Sequence, residues 1–291
     1  MNGRPSRPST NFTLSLRLIP NRAWLSLGPG WAALAGVLAS GAFQFEADFI
    51  LKAGLLWLLA DPLLGTVWYL LADWGLWQRL TQTQPDETTP LRVLLPYTLK
   101  HSPGYSWSIF WTNLSALQSG EGFTFVITLL LALILGGLLG GPVAVYAVIS
   151  ICLAFIAGKH DGPGSRLLQS MATLLFPFWA GATLSSRPTP AILLLGLVYW
   201  IVYFGILQWS AGRTSGHRLV IGGQIVAALL LFGLIKPLAA TGVALAAIFS
   251  LLLYRQRSEY APDFLIRYDD QLSPLLLAGL FVAALSMGGI L

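Results

Sequence analysis

Apolar residues run in long stretches along this chain, broken by short polar punctuation. The run LLLALILGGLLGGPVAVYAVISICLAF at 129–155 contains no charged residue. A helix needs about twenty apolar residues to cross the hydrocarbon core of a bilayer. Nine stretches approach that length, at about 24–43, 49–72, 122–140, 142–158, 167–184, 190–210, 219–235, 237–254 and 274–291. Gly140-Gly141-Pro142 and Lys236-Pro237 separate neighbouring stretches so briefly that each predicts a tight turn, since proline fixes φ and removes a donor. The pattern predicts an all-α, polytopic membrane helix bundle of about nine transmembrane helices. It forms a single domain over 24–291, after a tail at 1–23, with longer polar connections at 79–121 and 255–273.

The distribution of positive charge orients this bundle. With nine spans and the N-terminus inside, only Arg187 and Lys236 of the 17 Lys and Arg residues fall outside, and Lys52 falls within the second span. Positive charge accumulates on the cytoplasmic side of membrane proteins, so the N-terminus is expected in and the C-terminus out. The tail 1–23 is then cytoplasmic, as are both long loops. In the first of them, Trp107, Phe110 and Trp111 of YSWSIFWTNL have the spacing of a helix lying in the membrane interface.

Composition agrees. Hydrophobic residues make up 55% of the 291 and charged residues 10%, with a mean hydropathy of +0.70; a soluble domain carries about a quarter charged. The expected location is a multi-pass position in the plasma (inner) membrane. The pI near 9.5 does not point to nucleic acid, because the basic residues are scattered through short loops. The lone Cys152 excludes an intrachain disulfide and a cysteine-based metal cluster. No small-residue cleavage site follows the Arg-containing N-terminus, so no cleavable leader is expected.

Two acids change the picture. LLADPLLGTVWYLLADWGLWQRL (58–80) places Asp61 inside the second span and Asp73 at its cytoplasmic end. A charge at mid-membrane costs about 2.5–3.5 kcal/mol on insertion scales, and such residues line functional cavities by default. Pro62 follows Asp61 directly and frees a backbone carbonyl one turn back. Asp61 therefore reads as a cavity-lining group that binds a cation or proton, or as a buried acid paired across the bundle. Asp73 reads as a ligand at the cytoplasmic mouth, or as an interfacial acid beside Arg79. The two stand roughly 120° apart around a regular helix, so they do not share one narrow face. Lys52 is expected to pair with Asp48 at i,i+4.

Basic, glycine-containing segments lie at two inner connections. In GKHDGPGSR (158–166), Lys159, His160 and Arg166 suit a phosphate or diphosphate. In GRTSGHR (212–218), Arg213, His217 and Arg218 do the same. Orientation signalling alone also accounts for both. In RYDDQ (267–271), Asp269 and Asp270 offer divalent-ion ligands, or dipole partners for a helix starting near Pro274.

The helix count, the orientation and the long connections after the second and eighth spans resemble the UbiA superfamily of intramembrane prenyltransferases. That family carries an N-D-x-x-D-x-x-x-D motif at the end of the second helix, a basic tyrosine-containing segment after the fourth and a D-x-x-x-D motif ending the sixth. Here LADWGLWQR (71–79) stands at the first, GKHDGPGSR before LLQSMATLLFPFWAGATL at the second, and VYFGILQWSAGRTSGHR (202–218) at the third. The acidic motifs are reduced: Asp73 alone remains of the first, and 199–218 contain no Asp or Glu. The resemblance implies prenyl transfer from a diphosphate to a lipid-soluble acceptor. Asp61 and Asp73 would then be catalytic, with Mg²⁺ held at Asp73. Lys159, His160, Arg166, Arg213 and Arg218 would be substrate-binding. Two other readings stand beside it: a non-catalytic subunit that binds an isoprenoid, other membrane lipid or pigment, and a proton- or cation-coupled transporter using Asp61.

Overall fold

The computed structural model describes residues 27–41, 46–72, 121–157, 163–184, 187–213, 215–256 and 264–291, and within them every regular element is helical. Helix α1 spans Pro29–Ala39. Helix α2 (Ala47–Leu58) passes through a π-helical turn at Leu59–Leu63 into α3 (Leu64–Ala72). Helices α4 (Glu121–Leu139) and α5 (Gly141–Ala157) are separated by Gly140 alone. Helix α6 (Pro163–Ser170) runs through a second π turn at Met171–Leu175 into α7 (Phe176–Thr183). Then come α8 (Pro190–Ser210), α9 (Ser215–Gly233), α10 (Pro237–Gln256) and α11 (Phe264–Met287).

Proline sets many of these boundaries. Pro29, Pro163, Pro190 and Pro237 open their helices, where the missing N–H has no intrahelical partner to lose. Within a helix, proline has the opposite effect. Pro62 cannot donate to Leu58 and its ring crowds that carbonyl; Pro177 stands in the same relation to Thr173. Both helices widen to π geometry at those places, a relief that keeps the remaining backbone bonded.

Among the described residues, four helical segments are long and apolar enough to cross a membrane: Ala47–Leu71, Pro190–Ser210, Ser215–Gly233 and Pro237–Tyr254. Shorter apolar helices occupy Pro29–Ala39, Thr124–Leu139, Gly141–Ala157 and Leu272–Met287. Large apolar side chains are exposed on their outer faces, among them Ile134 and Leu138 on α4, Phe232 on α9 and Ile248 on α10. An all-helical chain with greasy outer faces is built for a hydrocarbon solvent, because helices satisfy their backbone polar groups internally. The protein is a membrane protein.

Helix α1 is the axis of the packing. Its Ala33 and Val37 join a core formed with α2, α3, α4, α5 and α7. Its Ala32, Ala35 and Ala39 join a second core with α7, α8, α9, α10 and α11. Small residues let it be flanked so closely: a Cβ at Gly36 would strike the Phe178 carbonyl of α7, and one at Gly181 would strike the Ala33 carbonyl of α1. Ser273 of α11 accepts a hydrogen bond from the Leu27 backbone N–H at 3.0 Å, just before α1 begins.

One expectation is corrected. The last helix begins at Phe264, not near Pro274, so Asp269 and Asp270 lie within its backbone rather than ahead of its N-terminus. Proline is tolerated mid-helix where neighbouring helices re-satisfy the freed backbone. The dipole role proposed for these acids does not apply. The helix also takes up the second half of the predicted 255–273 loop.

Candidate functional site

Asp61 lies in the first π turn, near the middle of the Ala47–Leu71 segment. The widened turn offsets its side chain from the regular face of α2 and α3. Its Oδ2 reaches across to α1, where a Cβ at Gly30 would stand 2.9 Å away. The Trp57 indole, one turn earlier on α2, crowds the same glycine, so only a hydrogen fits at position 30. One turn beyond, Thr66 Oγ1 donates to the Pro62 carbonyl at 2.6 Å.

Helix α5 supplies the opposite wall. Tyr146 and Ser150 lie one turn apart on its buried face, 4% and 1% exposed. The Tyr146 phenol lies within electrostatic reach of the Asp61 carboxylate, with the Ser150 hydroxyl beside it. The two hydroxyls face each other, and neither meets strict hydrogen-bond geometry with any other described side chain. Further along, on α3, the Trp68 indole N–H is buried with no acceptor. A buried polar group left without a partner costs about 1–3 kcal/mol, so the Trp68 indole N–H is an expensive feature to bury. The surrounding walls are apolar, including Leu59, Leu63, Val67, Val143 and Ala147. The arrangement offers a carboxylate, two hydroxyls that both donate and accept, and one indole donor, all inside a greasy shell.

The other predicted site residues are more dispersed. Asp73, Lys159 and His160 lie outside the described residues. Arg166 is half-buried on α6, which packs against α5 and α8. Arg213 is exposed in the turn after α8, and Arg218 is exposed in the first turn of α9. His217 is drawn into an aromatic group, with its ring stacked on Tyr254 at 3.4 Å between centroids and 5.7 Å from Trp209. Lys52 pairs with Asp48 at 2.6 Å, as its spacing predicts.

The resemblance implies Mg²⁺, and the described residues do not supply a site for it. No three His, Cys, Asp or Glu side chains among them come together. A magnesium ion bridging a diphosphate takes several oxygen ligands beyond the one carboxylate that Asp61 provides.

Sequence reasoning reached Asp61 but missed Gly30, Trp57, Tyr146 and Ser150. The available signal was Tyr and Ser at i,i+4 within an otherwise apolar span, which places both hydroxyls on one helix face. Comparison with known proteins adds nothing to this geometry: no family model, no curated protein and no solved structure matches the chain.

Proposed function

We propose that this chain is a nine-span plasma-membrane protein of UbiA-like architecture, N-terminus in and C-terminus out. It handles a prenyl or other long-chain lipid whose polar head enters a cytoplasm-facing cavity near Asp61. What supports this reading is polar chemistry inside an apolar bundle: the Asp61 carboxylate with the Tyr146 phenol in electrostatic reach and the Ser150 hydroxyl beside it, and on α3 a buried Trp68 indole N–H without an acceptor. Ligand sites pair an apolar lining with a few convergent polar groups in just this way. In this reading Asp61 orients the head, Asp73 stands at the mouth, and Lys159, His160 and Arg166 draw an anionic head toward the inner face. Arg213 and Arg218 add to the same positive rim. Prenyl transfer is the activity that the family resemblance suggests for such a site.

The deciding measurement is calorimetric binding of a long prenyl diphosphate to the detergent-purified protein, with Mg²⁺ and with EDTA. Magnesium-dependent binding weakened by Asp73→Asn is the expected result for a transferase. Binding indifferent to magnesium but weakened by Trp68→Phe identifies a lipid-binding protein without transferase chemistry. No binding in either condition overturns the prenyl reading.

A further inference from the structure

Helices α9 and α10 meet along an open apolar groove of about 440 Å³. Ile221, Ile225 and Leu229 of α9 line one side, and Ala240, Ala244 and Ala247 of α10 leave the space that longer side chains would fill. Ile225 and Leu229 are exposed, so the groove opens toward the surrounding hydrocarbon. From Ile221 to Phe232 it follows α9 for about 16 Å, at about 1.5 Å per residue. That is roughly half of a hydrocarbon core about 30 Å thick, the reach of the chains of one leaflet.

One mouth of this groove is positive. Arg218 stands three residues before Ile221 and seven before Ile225, which places it on the same stripe of α9. It is exposed and forms no ion pair among the described residues. Neither α9 nor α10 contains an acid that could neutralise it. A Cβ at Gly222, one turn beyond Arg218, would meet nothing, so the surface there is open. Aromatic rings mark the depth: His217 stacks on Tyr254, and Trp209 meets Tyr254 edge-on at 5.4 Å. Tryptophan and tyrosine gather at headgroup level. From these features we infer that the α9–α10 groove holds an acyl chain of an anionic phospholipid whose phosphate is bound by Arg218. A guanidinium presents a fork of donors to phosphate oxygens, and basic sites between membrane helices take anionic headgroups. A second copy of the chain fits this face less well. A two-fold contact brings the same patch of both copies together, setting Arg218 near its counterpart with no acid on either helix to separate them. The groove belongs to the helices of the second core, whereas Asp61 lies among those of the first, so the inference needs neither Asp61 nor a prenyl chain.

The test uses the full chain in detergent, titrated with dioleoylphosphatidylglycerol or dioleoylphosphatidylcholine, with bound lipid counted by native mass spectrometry. The acyl chains are identical, so the comparison isolates the headgroup. The expected result is one phosphatidylglycerol per chain, bound roughly fivefold or more tighter than phosphatidylcholine, the contribution of one arginine near an anionic headgroup. Arg218→Gln should bring the two lipids to equal affinity. Ala244→Phe, which fills the groove, should weaken both. Equal binding of both lipids to the unaltered chain, a preference that survives Arg218→Gln, or affinities unmoved by Ala244→Phe overturn the site. So does displacement of the lipid by glycerol 3-phosphate at constant ionic strength, which would assign Arg218 a free phosphate without the groove. A dimer that Ala244→Phe dissociates would give the groove to a second copy instead. None of these outcomes touches the calorimetric test of prenyl diphosphate binding, which reads Asp73 and Trp68.

Discussion

An indole N–H inside an apolar bundle needs an acceptor, and Trp200 finds one in Ser170 Oγ at 2.8 Å. The same serine hydroxyl donates to the Leu167 carbonyl at 2.7 Å, so one buried oxygen both anchors α8 and rests on α6. Removing one partner should leave the other unsatisfied. Ser170→Ala is therefore expected to destabilise the detergent-purified protein by about 1–3 kcal/mol, whereas the double variant with Trp200→Phe should recover part of that loss. A double-mutant cycle on denaturant unfolding measures the difference. The Trp68 indole N–H differs from that of Trp200 in being buried with no acceptor. That contrast separates a structural polar contact from a candidate ligand site.

At the scale of elements, the two π turns and the glycine contacts act together. Each π turn precedes or contains a proline and packs against α1. Between them, Gly36 and Gly181 bring the α1 and α7 backbones into contact. That contact cannot widen to admit a side chain without moving α1, and α1 also carries Gly30 under Asp61. Gly181→Ala should cost about 1–3 kcal/mol through overpacking. Because α1 is shared by both cores, it should also weaken whatever binds at Asp61. Comparing the prenyl diphosphate affinity shift of Gly181→Ala with that of Gly54→Ala tests the coupling, since a Cβ at Gly54 meets nothing. Equal shifts would separate the helix contact from the site.

The whole molecule is constrained by its solvent. The apolar residues exposed on α4, α9 and α10 would be an aggregation hazard in water, and they are the expected surface against lipid tails. Cys152 is exposed on the outer face of α5 and gives a native probe of that placement. A thiol facing lipid tails is out of reach of a water-borne reagent. A membrane-impermeant maleimide should leave Cys152 unlabelled in intact cells and in inverted vesicles, and label it after denaturation. In a Cys152→Ala background, Lys236→Cys should label only from outside and Arg213→Cys only from the cytoplasmic side. Labelling of both from one side would overturn the nine-span orientation.

Much of the architecture was legible along the chain because the physics behind it is local. Helix in a bilayer follows from continuous apolar composition, and proline marks where helices begin, so the stretches opening at Pro190 and Pro237 were found nearly to the residue. The Asp48–Lys52 pair is set by one turn of helix and was legible for the same reason. The sequence also singled out Asp61, because a carboxylate amid apolar residues stands out without any knowledge of its neighbours. It could not show what Asp61 meets. Tyr146 lies 85 residues away along the chain and Gly30 lies 31 away in the other direction, and neither carries a local mark that ties it to an acid. Nor could it show that Pro62 would widen the helix into a π turn, or that the last helix would run through Pro274 from Phe264. Both depend on whether neighbouring helices satisfy the backbone groups that proline leaves free. Composition and period determined that this chain is a helical membrane protein with an acid in its interior. Only the packing of α1, the first π turn and α5 decided which atoms surround that acid, because contacts between distant segments are set by side-chain shape across helices and not by spacing along one.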